Sequence, residues 1–274
     1  MKAQVVKYMM SILLAIVFAV PVLAQVDRSV MPEPGPAPEI NIESPDSFTL
    51  DNGLTVYVVE NDKLPTVAIS LFIDRDPIFE GEMAGYVSMA GQLMRSGTTQ
   101  RTKQELDQEI DFVGASLNTS SSGVFGSSLK RHMETLAELM ADVVKNPSFP
   151  EDEFEKLRKQ TISGLAQSKE DGNSIASNVA QALTYGTGHP YGEQVTEETV
   201  NAITLEKVKE YYNTYFKPNI AYMAVVGDIK KKEAQKLVEK YFGDWESGDV
   251  PEHTYEKPDS PEEVVIAIVD RPQA

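Results

Sequence analysis

Gly85-Tyr-Val-Ser-Met-Ala-Gly-Gln-Leu-Met-Arg-Ser-Gly97-Thr98 is the stretch around which this chain is organised. Val87, Ala90, Leu93 and Met94 recur at helical spacing, so the segment predicts a helix with one buried face. Residues three and four apart share a helix face, which turns Ser88, Gly91 and Gln92 in one direction. The spacing is that of a metal site, yet none of the three is a metal-ligand residue type.

Working outward, Phe48-Thr-Leu50, an Asp51-Asn52-Gly53 turn and Leu54 to Val59 read as a hairpin, with Asn-Gly supplying the positive φ angles of a tight turn. Val67 to Ile73 alternates as a further strand. On the other side, Thr102-Lys-Gln-Glu105 is a capping-box pattern that opens a helix with Leu106 and Ile110 buried. His132 to Val144 is strongly periodic and predicts another core-facing helix. Pro150 with three acidic residues after it suits a helix start, and that helix runs through Leu157, Thr161 and Leu165 toward Glu170-Asp171. Thr204 to Tyr215 predicts a helix, Ile220 to Val226 a buried strand and Lys232 to Phe242 a closing helix. The fold class expected is α+β, a mixed or antiparallel sheet packed on one side by several helices.

The ends read differently. Lys2 and Lys7, an apolar run from Met9 to Val20 and the small residue Ala24 describe a secretory signal over residues 1–24, because the run is shorter than the ~20 residues that span a bilayer. The expected location is periplasmic or otherwise exported, with no membrane insertion after cleavage. Residues 25–46 form a proline-rich acidic leader, 47–244 the folded domain and 245–261 a linker. Residues 262–274 start a further unit, in which Val264 to Val269 has a strand pattern without a partner. The formal charge of −17 becomes −19 once the two lysines leave with the signal. Such acidity repels phosphate backbones and anionic headgroups and argues against nucleic-acid partners. The absence of cysteine excludes disulfides and thiolate metal sites.

The central stretch resembles the insulinase or pitrilysin peptidases, the inverted zincins, in which it runs Gly-Leu-Ala-His-Phe-Leu-Glu-His-Met-Leu-Phe-Lys-Gly-Thr. Matching Gly85 and Gly97-Thr98 without a gap puts Ser88 and Gln92 at the two zinc-ligand positions and Gly91 at the general base. Asn146-Pro-Ser-Phe-Pro-Glu-Asp-Glu-Phe154 is a second family signature. The acidic pair Glu170-Asp171 then places Gly164 where active members carry the third zinc ligand. Helical glycines at 91 and 164 suggest close backbone packing between their helices, or a water-filled gap. The resemblance also makes Gly114 to Thr119 a strand bordering the cleft, with Val124 to Leu129 its neighbour. That assigns peptide binding to Ala115, Ser116, Leu117, Asn118 and Thr119; an ordinary loop-bordered strand is the alternative.

The resemblance implies an exported, non-catalytic first half of a longer peptidase-like subunit. It would pair with a zinc-bearing catalytic homologue and bind peptide substrate. It needs no cofactor of its own, with zinc only in the partner. Two alternatives stand beside this: a stand-alone periplasmic peptide-binding or scaffold protein, and an active hydrolase using other residues. His132, His189 and His253 lack a second ligand at i+4 and are expected to be structural. Asp74, Asp76 and Glu80 read as a solvated acidic face rather than a calcium loop.

Overall fold

The computed structural model describes residue 35, residues 44–258 and residues 263–270. The expected signal segment and nearly all of the leader lie outside these residues. The folded body belongs to the unit Ser44–Ala274.

Six strands form one sheet: β1 (Asp46–Thr49), β2 (Thr55–Glu60), β3 (Thr66–Ile73), β4 (Ser116–Ser120), β5 (Gly123–Leu129) and β6 (Ala221–Gly227). Their spatial order is β1-β2-β6-β3-β5-β4. Only β2 and β6 run parallel, so the sheet is mixed. Eight α-helices are described: α1 (Tyr86–Leu93), α2 (Lys103–Phe112), α3 (Met133–Lys145), α4 (Glu151–Ser168), α5 (Gly172–Tyr185), α6 (Glu197–Ala202), α7 (Leu205–Tyr215) and α8 (Lys231–Phe242). The architecture is α+β.

Strand side chains alternate between two faces. Val56, Val58, Ile69, Leu71, Met223 and Val225 turn toward the helices and are buried, together with Leu93, Leu136, Met140 and Val238 from the helices. On the opposite face of the sheet Tyr57, Phe72, Phe125 and Tyr222 are exposed among the described residues. The capping box at Thr102 and Glu105 forms as the sequence predicts and starts α2.

Several local expectations change. Of the hairpin turn only Gly53 has positive φ, at 94°, and Leu50 N bonds to Leu54 O at 3.0 Å, so the loop is longer than a two-residue turn. Asn52 serves another purpose: its Nδ2 donates to Phe242 O at 2.8 Å and Trp245 O at 3.0 Å. Helices α5 and α6 are not predicted by the sequence pattern. α5 opens with Gly-Asn-Ser, carries no charge and buries no residue, leaving little periodic signal. The expected linker begins as part of the body, since Trp245 is buried and Asn219 and Gly248 exchange two hydrogen bonds at 3.0 Å. Val264 to Val269 forms no strand and is exposed.

Candidate functional site

The central helix is shorter than its apolar pattern and is fixed at its start by two glutamates. Gly85 precedes it at φ 110°, a left-handed conformation that favours glycine. Glu80 Oε2 accepts from Gly85 N at 3.0 Å and Val87 N at 2.9 Å, satisfying two donors that have no partner within the helix. Glu193 in turn accepts from the backbone N–H groups of Glu80 at 2.9 Å and Gly81 at 2.5 Å. Burial pushes the Glu80 carboxyl above the usual carboxylate range; the two helix N–H groups pull it back, and the charge of Glu193 adds to the rise. Glu80 is therefore an internal cap and not part of a solvated acidic face. Asp76 is also engaged, accepting from His253 N at 2.8 Å.

On α1, Ser88 and Gln92 are exposed, and Gln92 Nε2 donates to Ser88 Oγ at 3.2 Å. Gly91 is buried against the β4–β5 turn. A methyl group there would lie 2.1 Å from Ser121 N and 2.2 Å from the Ser120 carbonyl carbon, so no side chain fits while the turn stays in place. Three contacts hold the turn. Tyr211 Oη donates to Ser121 O at 2.6 Å, Arg75 Nε donates to Tyr211 Oη at 2.7 Å, and Ile73 N donates to Ser122 O at 2.8 Å. The Arg75 guanidinium also lies over the Tyr211 and Tyr215 rings at 5.2 and 5.8 Å.

Gly164 behaves otherwise. α1 and α4 pack together, but a side chain at Gly164 would meet nothing within 4 Å. The close approach expected of both glycines therefore belongs to Gly91 alone, and its partner is the turn rather than α4. These residues do not fit a zinc ion. Ser88 and Gln92 bond to each other, and the base position is closed by backbone. Among the described residues no three His, Cys, Asp or Glu side chains gather to hold a metal. His132 Nε2 accepts from Arg131 Nε at 3.0 Å, His189 Nδ1 accepts from Tyr191 N at 3.1 Å, and His253 Nε2 shares a 2.7 Å hydrogen bond with Tyr215 Oη.

β4 is an edge strand. Ser120 pairs with Gly123 across a two-residue turn, so Ser116, Asn118 and Ser120 aim their backbone groups at β5 and Leu117 and Thr119 aim theirs outward. Ala115 is already used, its N–H donating to Ile110 O at 3.0 Å. Ser116 Oγ and Ser127 Oγ lie 2.8 Å apart across the ladder. Beside this end of β4 is a concavity of about 650 Å³, lined by Leu64, Ala68, Ala115, Ser127, Leu129 and Val226 among others. Sequence reasoning did not reveal Glu80, Glu193, Arg75 or Tyr211. The one local signal was a glutamate five residues before a glycine that starts a helix.

The fold is that of a structure described as the peptidase M16 inactive domain from Pseudomonas fluorescens, with a TM-score of 0.71 and 21% identity over 80% of this chain and 55% of that one. It is also shared with the periplasmic protease PqqL from Escherichia coli, at TM-score 0.68 and 18% identity over 82% of this chain and 26% of that one. Residues 55–190 match the family model described as Insulinase (Peptidase family M16), and residues 202–274 match the one described as Peptidase M16 inactive domain. The chain belongs to the peptidase M16, or insulinase, family. Among curated relatives, mitochondrial cytochrome b-c1 complex subunit 1 from Bos taurus is 27% identical over 202 residues, covering 70% of this chain and 41% of that protein. The chain spans half or less of the length of the curated relatives it matches most strongly. Among the described residues no helix is long and apolar enough to cross a membrane.

Proposed function

We propose that this chain is a non-catalytic, exported M16 subunit that holds an extended peptide on the outer edge of β4, through the outward backbone groups of Leu117 and Thr119, while a zinc-bearing homologue performs cleavage. One asymmetry carries the reading. The turn of the β4–β5 hairpin is pressed onto α1 where the family base would stand, whereas the outer side of β4 pairs with no strand among the described residues. An edge strand offers backbone N–H and C=O groups to any extended peptide, whatever its side chains. Peptide hydrolysis at neutral pH needs an activated water, and Ser88, Gly91, Gln92 and Gly164 supply neither metal ligands nor a base. The bovine relative is by name a subunit of a larger complex, and PqqL is a periplasmic protease. Both support the pairing and the export that the charged, apolar N-terminus suggests.

The test compares the full chain alone with the chain co-expressed beside a homologue bearing His-x-x-Glu-His. Alone it is expected to bind peptide, carry no stoichiometric zinc and cleave nothing; cleavage appears only with the partner. Thr119→Pro removes one outward donor from β4 and should abolish binding without unfolding the domain. Cleavage by the chain alone, or one zinc per chain lost on changing Ser88 or Gln92, would overturn the proposal. Peptide binding without any homologue co-purifying from the native host would make it a stand-alone peptide-binding protein.

A further inference from the structure

Asn52 and Gly53 form the one Asn-Gly dipeptide in the chain, and the fold dictates both residues. They lie in the loop between β1 and β2. Asn52 is needed as a donor: its Nδ2 reaches Phe242 O at 2.8 Å and Trp245 O at 3.0 Å, which ties the loop to the end of α8. Gly53 is needed for its φ of 94° and for its missing side chain, since a methyl group there would lie 2.9 Å from Asn219 Cα. Asn219 in turn exchanges two hydrogen bonds with Gly248 at 3.0 Å. One clasp thus joins the first hairpin, the turn before β6 and the segment after α8, and Trp245 is buried beside it.

Asparagine is thermolabile, and most so before glycine, where no side chain shields the next backbone nitrogen. The reaction needs only the chain and water. Gly53 N loses its proton and attacks Asn52 Cγ, forming the N–Cγ bond of a five-membered succinimide; the Cγ–Nδ2 bond breaks and Nδ2 leaves as ammonia. Water then opens the ring at either carbonyl, leaving aspartate or isoaspartate. No oxidant or reductant takes part.

The closed clasp withholds two of the three things this step requires. The nucleophile is occupied, because Gly53 N donates to Leu50 O at 2.9 Å. The leaving group is tethered, because Nδ2 is held by two carbonyls. Only the electrophile is set up: Leu54 N donates to Asn52 Oδ1 at 3.2 Å, which polarises Cγ. Opening the loop releases the nucleophile and the leaving group together.

We infer that Asn52 is a site of spontaneous covalent modification, whose reaction is held off by the clasp and whose product keeps the clasp open. The inference stands apart from peptide holding, since neither Asn52 nor its partners belong to β4 or α1. An aspartate at neutral pH has no side-chain hydrogen to give, so the Phe242 and Trp245 carbonyls would face a carboxylate instead of a donor. Isoaspartate lengthens the backbone of a loop whose span is fixed by the Leu50–Leu54 and Gly53–Leu50 hydrogen bonds. Either product adds one negative charge to a chain already at −17. The change is irreversible, so converted chains accumulate in proportion to how often the loop opens.

The experiment holds the full chain in mildly alkaline buffer and samples it by peptide-mapping mass spectrometry that separates isoaspartate from aspartate. Conversion at Asn52 is expected to be about tenfold or more slower in the native chain than in the same chain unfolded in guanidinium chloride. Asn219→Ala removes the two bonds to Gly248 and should speed the native reaction by about tenfold while leaving the unfolded rate as it was. Trp245 is the chain's one tryptophan, so its emission reports the segment directly. In Asn52→Asp that emission should move to longer wavelength and become open to acrylamide quenching, with far-UV circular dichroism retained. If the variant fails to fold, converted wild type separated by anion exchange takes its place. Equal rates in native and unfolded chains overturn the inference, as does a native rate unmoved by Asn219→Ala. Isoaspartate missing at position 52 of the unfolded chain removes the site itself. Unchanged Trp245 emission in the converted chain would show that the clasp closes over the product, and the inference falls.

Discussion

Gly91 and Gly164 stand, by the resemblance, at positions expected to carry functional side chains in active insulinase-family members, and their surroundings are opposite. Gly91 is closed over by Ser120 and Ser121, whereas Gly164 faces open space. The same residue is thus a packing requirement on α1 and only a missing side chain on α4. A helical glycine leaves a gap where nothing moves in, and becomes structural where a neighbouring backbone takes up the space.

The largest effect should come from Gly91→Leu. Its Cβ alone overlaps the turn backbone, so it is expected to cost about 3 kcal/mol or more, read from urea denaturation. A neutral result would show that the turn moves aside freely and would erase the contrast with Gly164. Glu80, which holds the start of the same helix, gives the next effect through pH. Its carboxyl is raised above its ordinary value of 4.5, so its stabilising share is fully present below that pH and lost as pH rises through the raised value. Glu80→Gln keeps an acceptor and removes the titration. Wild type should therefore gain stability relative to this variant as pH falls from neutral toward 4.5. Glu60, Glu105 and Glu134 have lowered values, chiefly from hydrogen bonds to Lys230, Thr102 and Lys240, and work in the opposite sense, but they cancel in the difference. A flat difference across that range would mean Glu80 is solvated.

Gly164→Ala is expected to stabilise the domain by about 1 kcal/mol, the helix-propensity difference with no steric term. A loss instead would place a neighbour against α4 and make the two glycines alike. The smallest effect on stability belongs to Ser88→His combined with Gln92→His, both exposed on α1. Histidines at i and i+4 should take up zinc weakly in calorimetry while peptide cleavage stays absent. Cleavage by this variant would show that the closed base position is no obstacle.

The helix at the centre was legible because burial of one face leaves a periodic trace at Val87, Ala90 and Leu93, and the hairpin and capping box are equally local. The tight partner of Gly91 was not, since a glycine carries no mark of what approaches it and Ser120–Ser121 lie on another element. Glu80 was misread for a related reason. Three acidic residues between Asp74 and Glu80 resemble a solvated face, but Glu80 turns inward to accept from Gly85 and Val87 while Glu193, far along the chain, holds its backbone. The edge position of β4 follows from strand order, which no local pattern encodes.

The segment after α8 has a consequence for how the polypeptide leaves the folded body. Asn52 grips the Phe242 and Trp245 carbonyls, Asn219 pairs with Gly248, and His253 bonds to Asp76 and Tyr215. Tyr255 then receives the Phe79 N–H at 3.1 Å and packs on the His189 ring at 5.4 Å. The exit point is therefore Tyr255, beside the loop that leads into α1, and not the end of the closing helix. A limiting protease should trim back to this anchor and stop. A recombinant boundary drawn at Asp244 would strip Trp245 from the core, whereas one drawn just past Tyr255 keeps these ties intact.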